Sequence, residues 1–443
     1  MINCIGTLTG SSGYASHFRG VVNELNKLED CKIVTNLPVG FEKEVNDNEL
    51  KMLKREQDFD INLIITHPLY WRSNLSAKRN FVYLVWEGDL IPKWMLEECL
   101  NHKIEKIIVP SEHTKKAILN TLEEEQKEIG IKEGENVENI SHTSIKKKLV
   151  VIPHGYNPED FYSQQPKVTA RQGGGETSPL KEVVKPSEQT ADGSFGIDSQ
   201  NSPADNTHRA MKETASGLNS SIEAGHRSND SSPELGEKYS FKFLANKGFR
   251  NIEDRGGIQY LIKAYLSEFK PEENVELVLK VNPAYGIPNL LELFPELNSK
   301  HPKITYIPEN YTTKQLNELY NECDVFVSPT RAEAFNLPCL EALACGKPVI
   351  TTNYGGQTDF IDNEVGALID YKLTEITHEV EYEGINWATP NHEQLKKELR
   401  RIYTNGIYGF KENCIKRASK YTWKNTAKQI YILISQHLNT IIN

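Results

Sequence analysis

Ser328-Pro-Thr-Arg-Ala-Glu-Ala-Phe-Asn-Leu-Pro-Cys-Leu-Glu-Ala-Leu-Ala-Cys-Gly-Lys-Pro-Val-Ile, residues 328–350, is the stretch on which the reading of this chain turns. A buried strand ends near Ser328, and a loop carrying Glu333 follows it. Pro338 suits the first turn of a short helix, and Gly346 followed by Lys347-Pro348 stops that helix. Glu333 then lies in the loop at the strand's carboxyl end, and Glu341 lies early in the helix behind it. The free N–H groups and positive dipole end of a helix start favour a nearby anion. A carboxylate in that position can accept two hydrogen bonds from a vicinal diol, such as a ribose or a sugar ring. Each glutamate alone also fits a plain loop carboxylate or a helix-dipole partner.

Outward from this stretch, short apolar runs alternate with helical patterns, the signature of parallel sheets flanked by helices. In the second half, residues 241–245, 275–281, 304–307, 325–328, 349–352 and 367–370 are strand candidates, with helices at 257–269, 287–293, 313–322 and 338–344. In the first half, residues 2–7, 60–66, 81–86, 104–109 and 149–152 read as buried strands. Residues 14–28 read as a helix with Phe18, Val21, Leu25 and Leu28 on one face. Between the halves, residues 163–238 are rich in Ser, Gly, Pro, Asn and Glu and hold few large apolar side chains. Such a segment cannot bury enough surface to offset its ordering entropy, so a disordered insertion is expected. Residues 123–148 are expected as a polar surface excursion.

The expected fold class is α/β: two Rossmann-like, doubly wound domains facing a cleft, with the insertion between them. The boundaries read as 1–162 for the first domain, 163–238 for the insertion, 239–415 for the second domain and 416–443 for a terminal helix. Ligands in such folds bind outside the carboxyl ends of the strands, so the cleft is the expected site.

Three further segments bear on that cleft. Residues 241–258 read as a strand, a basic glycine-bearing loop and a helix. Arg250 and Arg255 bracket the loop and could clamp a diphosphate, offsetting charge on a leaving group. Gly355 and Gly356 form a turn after a strand, where backbone can come close to a ligand. Gly10-Ser-Ser-Gly-Tyr-Ala, with Gly13 at its centre, links a strand to a helix but lacks the spacing of a dinucleotide fingerprint. Trp86 and Glu87 lie at a strand end of the first domain. They fit either a core aromatic with a solvated turn residue or a sugar-binding surface.

Composition narrows the classes. The chain has 443 residues, 38% hydrophobic and 25% charged, with a formal net charge of -10, and its isoelectric point is near 5.7. That balance argues against a nucleic-acid partner, whose binding domain is usually basic. The 7 cysteines are spread out with no C-x-x-C spacing, which argues against a disulfide framework or a zinc site. Asp58-Phe-Asp60, a D-x-D pair, leads into a strand rather than ending one and is poorly placed for a catalytic divalent ion. No apolar run reaches membrane-spanning length, and the cytoplasm is the expected compartment.

Together these segments resemble the retaining glycosyltransferases of family 4, which adopt the GT-B fold and carry an E-x7-E motif. Glu333 and Glu341 match the two glutamates. The resemblance implies that Glu333 faces the donor sugar and that Glu341 holds the nucleotide ribose. Phe335, Asn336, Leu337, Gly355, Gly356 and Gly13 fall at donor-side positions, and Trp86 and Glu87 on the acceptor side. Arg250 matches the family's arginine, and Arg255 stands in for its lysine. Ala334 and Asn336 replace common glycines, and Trp86 and Glu87 stand where many relatives carry a histidine. His154 stands where relatives often have asparagine, and a structural role at the domain junction is expected for it.

The resemblance covers Phe241 to Asp370 and extends more loosely into the first domain. It implies a nucleotide-diphosphate sugar as donor substrate with no further cofactor, no metal, retention of configuration, and a terminal helix packed back on the first domain. A glycan, a lipid-linked sugar or another hydroxyl acceptor all stay open, as does peripheral contact with the inner face of a membrane. The rival readings are a sugar-nucleotide epimerase and a non-catalytic GT-B-fold binding partner.

Overall fold

The computed structural model describes residues 1–9, 13–35, 45–56, 59–128, 140–164, 240–378 and 382–439. All but the first two residues of the expected insertion lie outside these, as do Gly10 to Ser12 of the first glycine loop. Two sheets of 6 strands form the two halves, and their strands pair in parallel throughout. The first holds β1 (Ile2–Gly6), β2 (Cys31–Val34), β3 (Ile61–Ile65), β4 (Arg79–Tyr83), β5 (Ile104–Val109) and β6 (Leu149–Val151), in the order β2-β1-β3-β4-β5-β6. The second holds β7 (Phe241–Lys247), β8 (Val275–Val281), β9 (Lys303–Ile307), β10 (Val325–Ser328), β11 (Val349–Thr352) and β12 (Gly366–Ile369), in the order β12-β11-β10-β7-β8-β9.

Helices cover both faces of each sheet, which is why strands such as Val275–Val281 are apolar and buried along most of their length. The helix Gly13–Leu25 packs Phe18, Val21, Val22 and Leu25 into the first core. The terminal helix Trp423–Asn439 adds Ala427, Ile430, Leu433 and Ile434 to the same core. These two helices lie close enough that a Cβ at Gly20 would come within 2.4 Å of the Trp423 ring. The chain crosses back between the domains just before this helix, because helix Phe410–Ala418 still places Cys414 and Ala418 in the second domain's core.

Several expectations change. Residues up to Glu128 belong to the helix Glu112–Glu128, and Ile140–Lys148 is a second helix, so most of the expected polar excursion is helical. Residues 129–139 of that stretch lie outside the described residues. Helix 14–28 ends at Leu25, and 287–293 shrinks to Leu290–Leu293. β2 was not anticipated. Nor was the antiparallel pair β13 (Tyr371–Glu375) and β14 (Asn386–Pro390), whose first strand is exposed along its whole length.

Backbone packing ties the second sheet to the loop that follows β10. Gly257 has φ +80, and a Cβ there would lie 1.9 Å from the Pro329 carbonyl oxygen. No L side chain fits both constraints. Gly257→Ala is therefore expected to destabilise the second domain by more than about 1 kcal/mol, seen as a lower thermal midpoint.

Candidate functional site

The chain order of the second sheet reverses between β7 and β10, which are direct neighbours. Connections leaving these two strands depart on opposite faces, and a crevice opens at their carboxyl ends. β7 ends at Lys247 and β10 at Ser328, so the residues after each strand meet in that crevice. Lys247 is 8% exposed, and its ammonium donates to Glu333 Oε1 at 2.8 Å and to Asn336 Oδ1 at 2.6 Å. Asn336 in turn donates from Nδ2 to Ser328 Oγ at 3.1 Å. Burial alone would push the Glu333 carboxyl up, but the charges of Lys247 and Arg255 outweigh it and hold the carboxyl below its usual range.

Asn336 adopts a left-handed backbone with φ 72, a conformation that costs a non-glycine residue on the order of 1 kcal/mol. Glycine adopts this conformation at less cost, but the asparagine side chain makes two hydrogen bonds that glycine lacks. Glu341 sits one turn into the helix Leu337–Ala344 and accepts the Tyr320 hydroxyl at 2.8 Å. Asn246 on β7 donates to that same hydroxyl at 3.2 Å. Burial pushes the Glu341 carboxyl up to about 7, against the opposing pull of Tyr320 and Lys247.

The loop after β7 carries the two arginines. Arg250 is exposed, and its backbone N–H is held by Asp254 Oδ2 at 2.9 Å. Arg255 reaches across the cleft and pairs with Glu87 of the first domain. Its carbonyl accepts the Arg331 N–H at 2.8 Å and the Thr330 hydroxyl at 3.1 Å, which ties this loop to the one after β10. The Gly355-Gly356 turn closes on the Glu333 loop. Gly356 donates to the Glu333 carbonyl at 2.8 Å, and a Cβ on Gly356 would lie 1.9 Å from the Ala334 carbonyl oxygen. The close approach in this structure is thus to the loop's own backbone.

Phe335 points away from the crevice: its ring packs on His154, Phe360 and Tyr421 and is 2% exposed. Only its backbone is left to face a ligand. Leu337, half-buried at the helix start, packs against that same cluster. Gly13 begins the helix Gly13–Leu25 in the first domain.

Trp86 and Glu87 serve the junction of the domains in this structure. Trp86 stacks on Tyr382 with centroids 5.1 Å apart, and its indole N–H donates to the Leu90 carbonyl at 2.6 Å. Glu87 accepts the Tyr382 hydroxyl at 2.7 Å on the same oxygen that meets Arg255. Asp89 holds Asn386 through its backbone N–H at 2.8 Å and its side-chain amide at 2.9 Å. Tyr382, Ile385 and Trp387 from the β13–β14 region share one apolar cluster with Trp86, Ile91 and Met95 of the first domain. Elsewhere along the seam, Ser111 Oγ donates to the Ala334 carbonyl at 2.7 Å and Asp359 caps the helix at Glu112 at 2.9 Å. His154 is buried at this junction with His17, their rings 4.1 Å apart, and burial lowers its pKa to about 3.

Sequence reasoning missed Lys247, Tyr320, Tyr382 and Asn386. A lysine closing an apolar strand at its carboxyl end was a usable signal for the first. No pattern in the sequence marks the others.

Residues 257–421 match the family model of glycosyl transferases group 1. A probable sucrose-phosphate synthase of Thermosipho melanesiensis is 25% identical over 221 residues, covering 48% of this chain and 47% of that protein. A D-inositol 3-phosphate glycosyltransferase of Corynebacterium urealyticum is 30% identical over 118 residues, 26% of this chain and 24% of that protein. The matched stretch thus spans less than half the length of either relative. Among solved structures, a sucrose-phosphate synthase from Thermosynechococcus elongatus superposes over 99% of both chains with a TM-score of 0.55 at 15% identity. Anabaena HepE in complex with UDP covers 98% of this chain and 99% of its own, with a TM-score of 0.53 at 14% identity. The fold is therefore GT-B: two Rossmann-like domains across a cleft.

The polar seam around Glu87 and Asp89 is expected to hold the cleft closed. Glu87→Ala combined with Asp89→Ala strands Arg255, Tyr382 and Asn386. Amide exchange at Asn386 and Ala388 is expected to speed up by on the order of tenfold, the equivalent of about 1.4 kcal/mol.

Proposed function

We propose that the protein is a retaining glycosyltransferase of family 4, moving a hexose-like sugar from a nucleotide-diphosphate sugar to a hydroxyl group on a glycan, a lipid-linked sugar or another acceptor. One observation carries this reading: Glu333 and Glu341 stand on one loop and its following helix at the sheet's switch point, inside the region matched by the glycosyl transferase model. The Anabaena neighbour holds UDP in one structure and UDP-glucose in another, which supports a nucleotide sugar as the donor here.

In this reading the ribose hydroxyls bond to Glu341 and the sugar hydroxyls to Glu333. The diphosphate joining them chemically lies towards the arginine loop. The bond from the anomeric carbon to the diphosphate oxygen breaks, and the acceptor oxygen bonds to that carbon on the same face. The acceptor proton passes to the departing phosphate. Arg250 and Arg255 stabilise the charge that builds there, and Arg255 must share or exchange its Glu87 partner to do so. The first domain presents the acceptor. No metal is needed in this scheme, and the protein is proposed to work in the cytoplasm. Among the described residues no helix is long and apolar enough to cross a membrane.

A panel of nucleotide sugars tests the reading by release of nucleoside diphosphate. Arg250→Ala is expected to lower kcat/KM by on the order of a hundredfold or more. EDTA should leave the rate unchanged, and NMR of the product should show the donor's anomeric configuration. No binding or turnover with any donor would sink the proposal, and an inverted product would reject its stereochemical part.

The Glu341 carboxyl, raised to about 7 by burial, gives a pH signature. Its ionised form is the better acceptor for a ribose diol, so it gains ligand affinity as pH rises through 7. UDP or GDP, whichever binds, is expected to bind more tightly at pH 8 than at pH 6 by calorimetry. Glu341→Gln should weaken binding and flatten that dependence.

A further inference from the structure

A lysine ammonium carries three N–H donors, and at Lys247 two of them go to Glu333 and Asn336. Those residues are the two ends of the turn that presents Glu333 to the crevice, so a single charge staples the turn. The amide of Asn336, held in a left-handed backbone, is divided between Lys247 and Ser328. The staple therefore joins the carboxyl end of β7 to that of β10 across the switch point. We infer that Lys247 is the positioning residue that fixes the place and the charge of Glu333 for the donor sugar. This deepens the transferase reading and rests on it.

The surroundings of Glu333 agree. Lys247 faces it from β7, Arg255 from the loop after β7, and the Cys339 thiol from the helix Leu337–Ala344. Arg255 already shares its charge with Glu87, which leaves Lys247 as the only cation hydrogen-bonded to Glu333 among the described residues. The pull of Lys247 extends to Glu341 as well, so this cation acts on both carboxyls of the proposed donor site. With Lys247 removed, burial is expected to raise the Glu333 carboxyl, and a pH that leaves it ionised in the wild type leaves it protonated in the variant.

The test compares Lys247→Met and Lys247→Arg with the wild type in two measurements. Infrared difference spectra of the ligand-free proteins, referenced to Glu333→Gln, report the titration of Glu333 directly. The methionine variant is expected to titrate higher by on the order of one pH unit or more, and the arginine variant to stay nearer the wild type. Steady-state kinetics with an active nucleotide sugar should show KM for the donor rising about tenfold in Lys247→Met, with the acid limb of the pH profile displaced upwards. At about pH 9, where Glu341 is ionised with or without Lys247, UDP or GDP alone should bind within about twofold of the wild type, because only the sugar end depends on Glu333.

An unchanged Glu333 titration in Lys247→Met would overturn the inference. So would equal losses of affinity for nucleoside diphosphate and for nucleotide sugar, which would make Lys247 a phosphate ligand instead. Thermal melts identify a misfolded methionine variant, and the arginine variant then decides through the same two measurements. A wild type that turns over no nucleotide sugar refutes the transferase reading, while the infrared titration still judges the link between Lys247 and Glu333.

Discussion

The ammonium of Lys247 and the carboxylate of Glu333 sit where little water can reach either, with side chains 6% and 19% exposed. A charge placed there alone costs several kcal/mol, and removing one partner leaves the other uncompensated. The pair is tolerable only because each member finds further bonds: Lys247 to Asn336, and Glu333 within the field of Arg255. That requirement fixes much else. β7 and β10 must be neighbours, the loop after β10 must turn back at Asn336, and the Gly355-Gly356 turn must lie against it without side chains. The carboxylate expected to meet a sugar is thus held by a network that exists before any ligand arrives, the condition that makes a polar site effective.

The second constraint is the seam between the domains. It combines an apolar cluster around Trp86, Tyr382 and Trp387 with a few polar bonds at its edge. Arg255 stands at the boundary, drawn to Glu87 on one side and to Glu333 on the other. In the proposed reading, the donor's diphosphate would compete with Glu87 for this guanidinium, which would link donor binding to the tightness of the cleft through one side chain.

How much of this could be read from the sequence follows from where apolar periodicity exists. Val275–Val281, Val325–Ser328, Val349–Thr352 and Ile104–Val109 are dense apolar runs, and their bounds agree with the sequence reading. β2 is short and interrupted by Lys32, and β13 is solvent-exposed throughout, so neither leaves an apolar pattern to find. β7 extends two residues beyond the apolar run because Asn246 and Lys247 are strand residues turned to polar work. The placement of the two glutamates relative to strand and helix was legible from local signals. Which cation lies against Glu333 was not, since that depends on a strand pairing spanning some eighty residues of sequence. Trp86 and Glu87 were ambiguous for the same reason: their partners, Tyr382 and Arg255, lie in the other domain.

The terminal helix Trp423–Asn439 lies on the helix Gly13–Leu25, near the opposite end of the chain. During synthesis, the first domain emerges long before the helix that covers it. Until then the helix Gly13–Leu25 has the sheet on one side but lacks Trp423 against Gly20 and His17 on the other. The second domain must be translated, and its last segment must find its way home, before that side is covered. The first domain therefore completes its own packing only after the second has been translated.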